Sequence, residues 1–293
     1  MRRNGKKNGT RNQKRSHKNN MMNFGMNFSG GKMANINKEI LMTMINYKHK
    51  AVTCVICGGN EFKVLSRLDR YNLPLVASVC QGCGLIQASP RLPEEFYKIF
   101  YDKYYRRLHN IDKKIGDLND YFKWQYSRAI DEFGPITKKN KGYVFDVGCS
   151  AGGTLQYFSD CGYKVKGIDL DSRYVNHGVK RGLDITVDTL ATVKIENPPN
   201  IVILSHVLEH IHEPLDMLIK IRAIMNPSGI LYVDVPGANN LLKYDMDFNK
   251  CVQLAHLYYF TQDTLSKILK RAGFDVIEID EKCHAVAKPS GGK

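Results

Sequence analysis

Eight residues, Asp146-Val147-Gly148-Cys149-Ser150-Ala151-Gly152-Gly153, constrain the fold of this chain more than any other stretch. They begin within a short apolar run, Val144 to Val147, and precede a helical pattern from Thr154 to Cys161. Glycines at such a junction let the backbone turn sharply, and they bring free N–H groups at the start of a helix close to a ligand. Asp169 stands at the end of the next apolar run, Val165 to Ile168, where a carboxylate can accept hydrogen bonds from ribose hydroxyls. Strand, glycine turn, helix and a strand ending in an acid together predict a βαβ unit that holds a nucleotide-like ligand.

The alternation continues. A helix is expected over Tyr174 to Arg181 and strands at Ile185 to Val187, Ile201 to Leu204 and Ile230 to Val235. Between the last two, Met217, Ile221, Ile224 and Met225 form one apolar helix face. Thr261 suits the cap of a later helix that buries Leu265, Ile268, Leu269 and Ala272 and ends at Gly273. Val276 to Ile279 and Ala285 to Ala287 supply two last strands. The fold expected over 141–293 is α/β, a Rossmann-like and mostly parallel sheet with helices on both faces.

Ahead of it, Cys54-x-x-Cys57 and Cys80-x-x-Cys83 place two thiolate pairs 22 residues apart, with Gly58, Gly59 and Gly84 permitting tight knuckles. That pattern predicts a small zinc-binding module over 47–90. An ion with four sulfur ligands has no open position, so its role would be structural. Residues 91–140 are expected to form a helical linker and cap: a Tyr-rich helix through Phe96, Tyr101 and Tyr105, then a second helix from Asp117 to Phe133 that Gly134-Pro135 ends.

The formal charge is +14, yet 12 of the 43 Lys and Arg lie in residues 1–50 against the single Glu39. The basic character therefore belongs to an arm, 1–46, which lacks apolar period and is expected to be disordered. This weakens the case for an extended nucleic-acid surface on the body, which would need its own clustered positive face. No run approaches the length of a membrane span, and no apolar segment of signal-peptide type follows the N-terminus. The expected location is cytoplasmic, and eight cysteines in a reducing compartment favour metal over disulfides.

The glycine turn resembles that of the class I S-adenosylmethionine-dependent methyltransferases, whose motif opens with an acid at the strand end, as Asp146 does. Ser150 stands where the family has its middle glycine. The resemblance implies that Gly148 and Gly152 flank the methionine part of the cofactor, that Asp169 holds the ribose, and that Asp188 lies near the adenine. Ser205-His206-Val207-Leu208-Glu209-His210-Ile211-His212-Glu213-Pro214 resembles the family's E-H-I/V-x-x-P signature. In an open α/β sheet the loop after such a strand faces the ligand crevice, and histidine titrates near neutral pH. His210 is the candidate general base, with Glu209 or Glu213 its candidate partner, and His256 to Thr261 form a second candidate wall of the acceptor site. The four-cysteine module followed by a Tyr-rich helix is similar to the front of sugar C-methyltransferases and related small-molecule methyltransferases.

The resulting expectation is direct methyl transfer from S-adenosylmethionine to a small-molecule or glycan-linked acceptor. Two alternatives stay open: RNA methylation, in which the basic arm would contact nucleic acid, and a non-catalytic binding module that has kept the cofactor fold.

Overall fold

A computed structural model describes residues 30–109, 117–137, 142–238 and 248–291. Its centre is a seven-stranded sheet of β4 (Tyr143–Val147), β5 (Lys164–Asp169), β6 (Ile185–Val187), β7 (Ile201–Ser205), β8 (Ile230–Asp234), β10 (Phe274–Ile279) and β11 (His284–Pro289). Across the sheet the order is β6-β5-β4-β7-β8-β11-β10, parallel from β6 to β8, with β11 antiparallel to both of its neighbours. Chain order reverses direction at β4, so β4 and β7 flank the switch point where ligands of open α/β sheets sit.

The side-chain period of two explains why both faces are covered. Phe145, Val147, Val202 and Leu204 point to one core, and Val144, Ile201 and Ile203 point to the other. Helices α3 (Leu118–Thr137), α4 (Gly153–Asp160) and α5 (Ser172–Val179) contribute Phe122, Leu155 and Val175 to the second core. Helices α6 (Pro214–Ile224) and α7 (Gln262–Arg271) contribute Leu218, Ile221, Leu265 and Ile268 to the first. Thr261 caps α7 by accepting the Thr264 N–H, and Pro214 sits at the first position of α6, where its missing N–H costs nothing.

Three features depart from the sequence reading. Helix α1 (Gly30–Met44) lies inside the segment read as a disordered arm. Ile36, Ile40 and Met44 recur at i, i+4 and i+8 on it, and Ile40 and Met44 are buried against the front of the molecule. The rest of that arm, 1–29, lies outside the described residues. We expect Ile40→Ala to destabilise the chain by about 2 to 5 kcal/mol, the usual cost of truncating a buried isoleucine. Urea denaturation checks this, and an unchanged midpoint would return α1 to the arm.

The second departure is that α3 runs through Gly134-Pro135 to Thr137. The Thr137 hydroxyl bonds the Tyr157 hydroxyl at 2.9 Å and its carbonyl accepts from Tyr163, so tertiary contacts hold a last turn that glycine and proline would otherwise end. The Tyr-rich stretch is helical, but after α2 (Glu94–Ile99) it widens into a π-helical turn over Phe100–Tyr105.

The third is the front sheet, β1 (Phe62–Leu68), β2 (Pro74–Cys80), β3 (Ile86–Ala88) and β9 (Tyr258–Tyr259), in the order β1-β2-β3-β9. Its last strand comes from beyond β8, with Ile86 paired to Tyr259 and Gln87 to Tyr258. The cysteine-bearing segment is therefore not self-contained at residue 90, and its buried residues share one core with the α6 and α7 face.

Candidate functional site

At the end of β4 the chain passes through three left-handed residues, Gly148 (φ 78°), Ser150 (φ 50°) and Gly152 (φ 84°). A Cβ on Gly148 would lie 2.5 Å from Val207 Cγ2, and one on Gly152 2.6 Å from Leu183 Cδ1. Position 148 is thus held to glycine by the loop that follows β7. Position 153 is held by α3, because a Cβ there would meet the Phe122 carbonyl at 2.2 Å. Gln125 on α3 clasps the turn as well, donating to the Cys149 carbonyl and accepting from the Gly153 N–H, both at 3.3 Å. Ser150 tolerates its left-handed conformation where its N–H donates to Asp169 Oδ2 at 2.9 Å.

Two carboxylates lie beside this turn, Asp146 buried and Asp169 partly buried. Asp169 also accepts the Asp171 N–H at 2.8 Å, and burial raises its pKa against the pull of those N–H groups. Asp146 is pushed up to about 7, by burial first and by the Asp169 charge second. Neighbouring carboxylates that resist ionising together form a site suited to a cation. Asp188 occupies the rim, its N–H 3.3 Å from the Asp169 carbonyl. Its side chain is engaged in a local turn, accepting from the Thr189 N–H and the Thr192 hydroxyl, which lowers its pKa.

The loop after β7 begins at His206, itself left-handed at φ 54°. Glu209 is 1% exposed, and neither carboxylate oxygen has a hydrogen-bond partner. His206 Nδ1, His210 Nε2 and His256 Nε2 lie 3.6, 3.7 and 4.0 Å from its Oε1. His210 is oriented from its other nitrogen: Nδ1 stands 2.9 Å from the Ala255 carbonyl and 2.8 Å from the Tyr101 hydroxyl, which itself donates to that carbonyl at 3.0 Å. With Nδ1 held there, Nε2 faces Glu209. Burial, and then the neighbouring imidazoles, hold His256 neutral. For His206 burial works against the charged form, but the Glu209 and Asp234 carboxylates outweigh it and raise its pKa.

Behind the loop, buried Asp234 at the end of β8 accepts from Arg128 and from Ser205 Oγ, with His206 Nε2 and His284 Nε2 each 3.4 Å away. The sequence reading assigned no site role to Arg128, Tyr101 or Asp234. Tyr101 lay within the noted Tyr-rich stretch, and Asp234 repeats the strand-end acid of Asp146 and Asp169. Glu213 turns away from His210 to Arg91, at 3.1 Å. Tyr258 likewise serves the interior, accepting from Arg91 and donating to the His212 carbonyl. Of the second candidate wall, His256 reaches Glu209, whereas Tyr258 meets the loop only at the His212 carbonyl.

The four cysteines of the front sheet converge. Cys54 and Cys83 sulfurs are 3.4 Å apart, as are those of Cys57 and Cys80, and all four lie within 4.8 Å of one another. A Cβ on Gly59 or Gly82 would sit 3.3 Å from Cys57 Sγ, so glycine keeps both knuckles close to the sulfurs. The Gly59 N–H helps bring the Cys57 thiol down to about 7. Donor type and convergence fit one tetrahedral zinc.

Residues 120–279 match the model of a family described as a methyltransferase domain. The ubiquinone biosynthesis O-methyltransferase of Haemophilus ducreyi is 25% identical over 218 residues, which cover 60% of this chain and 92% of that protein. Among solved structures, the 1,6-didemethyltoxoflavin-N1-methyltransferase of Burkholderia thailandensis aligns with a TM-score of 0.50 and 15% identity, covering 72% of this chain and 97% of that one. The magnesium protoporphyrin IX methyltransferase of Synechocystis PCC 6803, with bound S-adenosylhomocysteine, gives 0.50 and 14%, covering 68% and 100%. At such identities the likeness shows the fold. The family match spans the glycine turn, the strand-end acids and the Glu209-His210 loop, and the chain belongs to the methyltransferase-domain family as a class I S-adenosylmethionine-dependent methyltransferase.

Proposed function

We propose that this methyltransferase acts on a small-molecule acceptor, binding its cofactor through Asp146, Gly148, Gly152 and Asp169 and handling the acceptor's proton at Glu209 and His210. The observation that carries the reading is the juxtaposition at Gly148: the turn is joined to Asp169 through the Ser150 N–H, follows buried Asp146, and is met through Val207 by a loop rich in imidazole. The carboxylates suit a ligand bearing sulfonium and ammonium groups. The imidazoles suit an acceptor that must lose a proton. An oxygen acceptor is favoured by the O-methyltransferase relative, which this chain spans almost end to end. A glycan-linked acceptor fits the same chemistry. Asp188 would border the adenine through its backbone, since its carboxylate is taken by Thr189 and Thr192. The RNA alternative leaned on the basic arm, most of which lies outside the described residues. Among the described residues no helix is long and apolar enough to cross a membrane. Cys54, Cys57, Cys80 and Cys83 would hold a structural zinc.

Asp169→Ala is expected to weaken S-adenosylmethionine binding by about ten- to a hundredfold, through loss of charge-assisted hydrogen bonds to the ribose worth ~1.5 to 3 kcal/mol. Isothermal calorimetry measures it, and equal affinity for the variant would remove Asp169 from the site.

The pKa of Asp146 adds a pH dependence. A cationic ligand favours the ionised carboxylate, so affinity should rise as pH climbs towards about 7 and level off above it. Binding below that pH should release a proton. Calorimetry in two buffers of different ionisation enthalpy reads the release; if heat and affinity stay constant between about pH 6 and 8, Asp146 does not face the cofactor.

A further inference from the structure

The surroundings of Glu209 are unusual for a carboxylate with no hydrogen bond. Three imidazole nitrogens lie 3.6 to 4.0 Å from a single oxygen, too far for hydrogen bonds and too near to be indifferent. His210 Nε2 is turned to the negative charge, because its Nδ1 is engaged by the Ala255 carbonyl. Ring nitrogens converging on a buried carboxylate form a donor set that a cation between them would satisfy. A proton would draw one nitrogen and one oxygen together to hydrogen-bond distance and leave the other nitrogen where it is. An ion about 2.0 to 2.2 Å from each donor atom sets neighbouring donors roughly 3.4 Å apart in a tetrahedron, and the 3.7 and 4.0 Å between Glu209 Oε1 and the His210 and His256 nitrogens close to that by roughly half an ångström.

We propose that Glu209, His210 and His256 bind a divalent cation, distinct from the zinc of the four cysteines. One donor atom from each of the three lies within 4.8 Å of the others. Two imidazoles and a carboxylate form a set that imidazole-preferring ions such as zinc, iron or cobalt accept, and it leaves coordination positions open. His206, at the edge of the cluster and half exposed, completes the wall. The Gln253 side-chain nitrogen now rests 2.5 Å from His256 Nε2 while its oxygen accepts from Arg70, so the ion enters by displacing this amide.

The inference rests on reading this loop as the acceptor face, and it narrows the acceptor to one that brings a hydroxyl to the ion. There the ion acidifies the O–H, whose proton passes to water. The oxygen then forms its bond to the methyl carbon as the carbon–sulfur bond breaks and its electron pair stays on sulfur. In that state His210 acts on the proton through the ion it holds. Because the four-cysteine site is all thiolate and this one is nitrogen and oxygen, the two can be told apart by their spectra.

The test is a cobalt(II) titration of the full chain with zinc already in the four-cysteine site. The expected result is one equivalent bound, with weak visible bands and no thiolate charge-transfer band in the near ultraviolet. His256→Asn and Glu209→Gln should each weaken that binding by about tenfold or more, with calorimetric cofactor binding unchanged as proof of folding. Should Glu209→Gln fail to fold, His256→Asn decides alone. No cobalt band, a band carrying thiolate charge transfer, or a band indifferent to His256→Asn overturns the proposal. Cobalt bound as expected, with no transfer to any hydroxyl acceptor, would instead remove the acceptor-face reading and leave the ion site standing.

Discussion

His210→Ala is expected to lower turnover by ~10² to 10⁴ while leaving the affinity for S-adenosylmethionine nearly unchanged. The ring is held in one orientation by the Ala255 carbonyl and the Tyr101 hydroxyl, and that bonding leaves Nε2 as the atom available to a proton or an ion. Either role is exercised while the acceptor loses its proton, so the loss should fall on kcat. The proposed cofactor residues Asp146 and Asp169 make no contact with His210, so cofactor binding should be spared. Stopped assays with methyl-labelled cofactor give the rate, and calorimetry gives the affinity. Near-normal turnover with the true acceptor would leave His210 structural and bring His206 forward.

The second large effect concerns the four cysteines. Structural zinc in finger peptides contributes roughly 10 to 16 kcal/mol of apparent folding free energy. Whole domains are stable by only about 5 to 15 kcal/mol. Cys80→Ser, which removes one thiolate from a sulfur set joined to β2, should therefore unfold at least the front sheet. The damage should not stop there. Helix α7 reaches across to the knuckles, Lys267 donating to the Cys83 carbonyl and Arg271 to the Ile56 carbonyl. β9 then ties the front sheet to the stretch that carries His256. Methyl transfer and thermal stability should fall together, seen as a lower melting temperature and lost turnover, with about one zinc per chain in the parent protein and less in the variant by metal analysis. A variant that melts like the parent and keeps its activity would show that the cysteines are only buried thiols.

Much of the sheet could be read from the sequence because its signals are local. Apolar runs such as Ile201 to Leu204, the glycine turn from Gly148 to Gly153 and the two Cys-x-x-Cys pairs each lie within a few residues. What escaped is set by contacts distant in sequence. Helix α1 had a stripe of only three apolar residues amid Asn and Lys, and the surface that buries Ile40 and Met44 is assembled from the Tyr-rich helix. β9 is two residues long, and its register is dictated by β3. Asp188 looked like a ligand residue by position, but Thr192 gave its carboxylate a nearer partner. His256 came within reach of Glu209 only through the path of the loop after β8, which no period in the sequence reveals.

The late arrival of β9 also bears on how the chain is made. During synthesis the first three strands of the front sheet leave the ribosome long before Tyr258 and Tyr259, so β3 waits with one edge unpaired although Ile86, Gln87 and Ala88 are all buried in the finished protein. An open edge of that kind is a template for any extended strand nearby, including the same segment of a neighbouring nascent chain. Premature release of a truncated chain ending before Tyr258 would then yield a sticky fragment, and fast elongation through 258–259 would protect the yield of active enzyme.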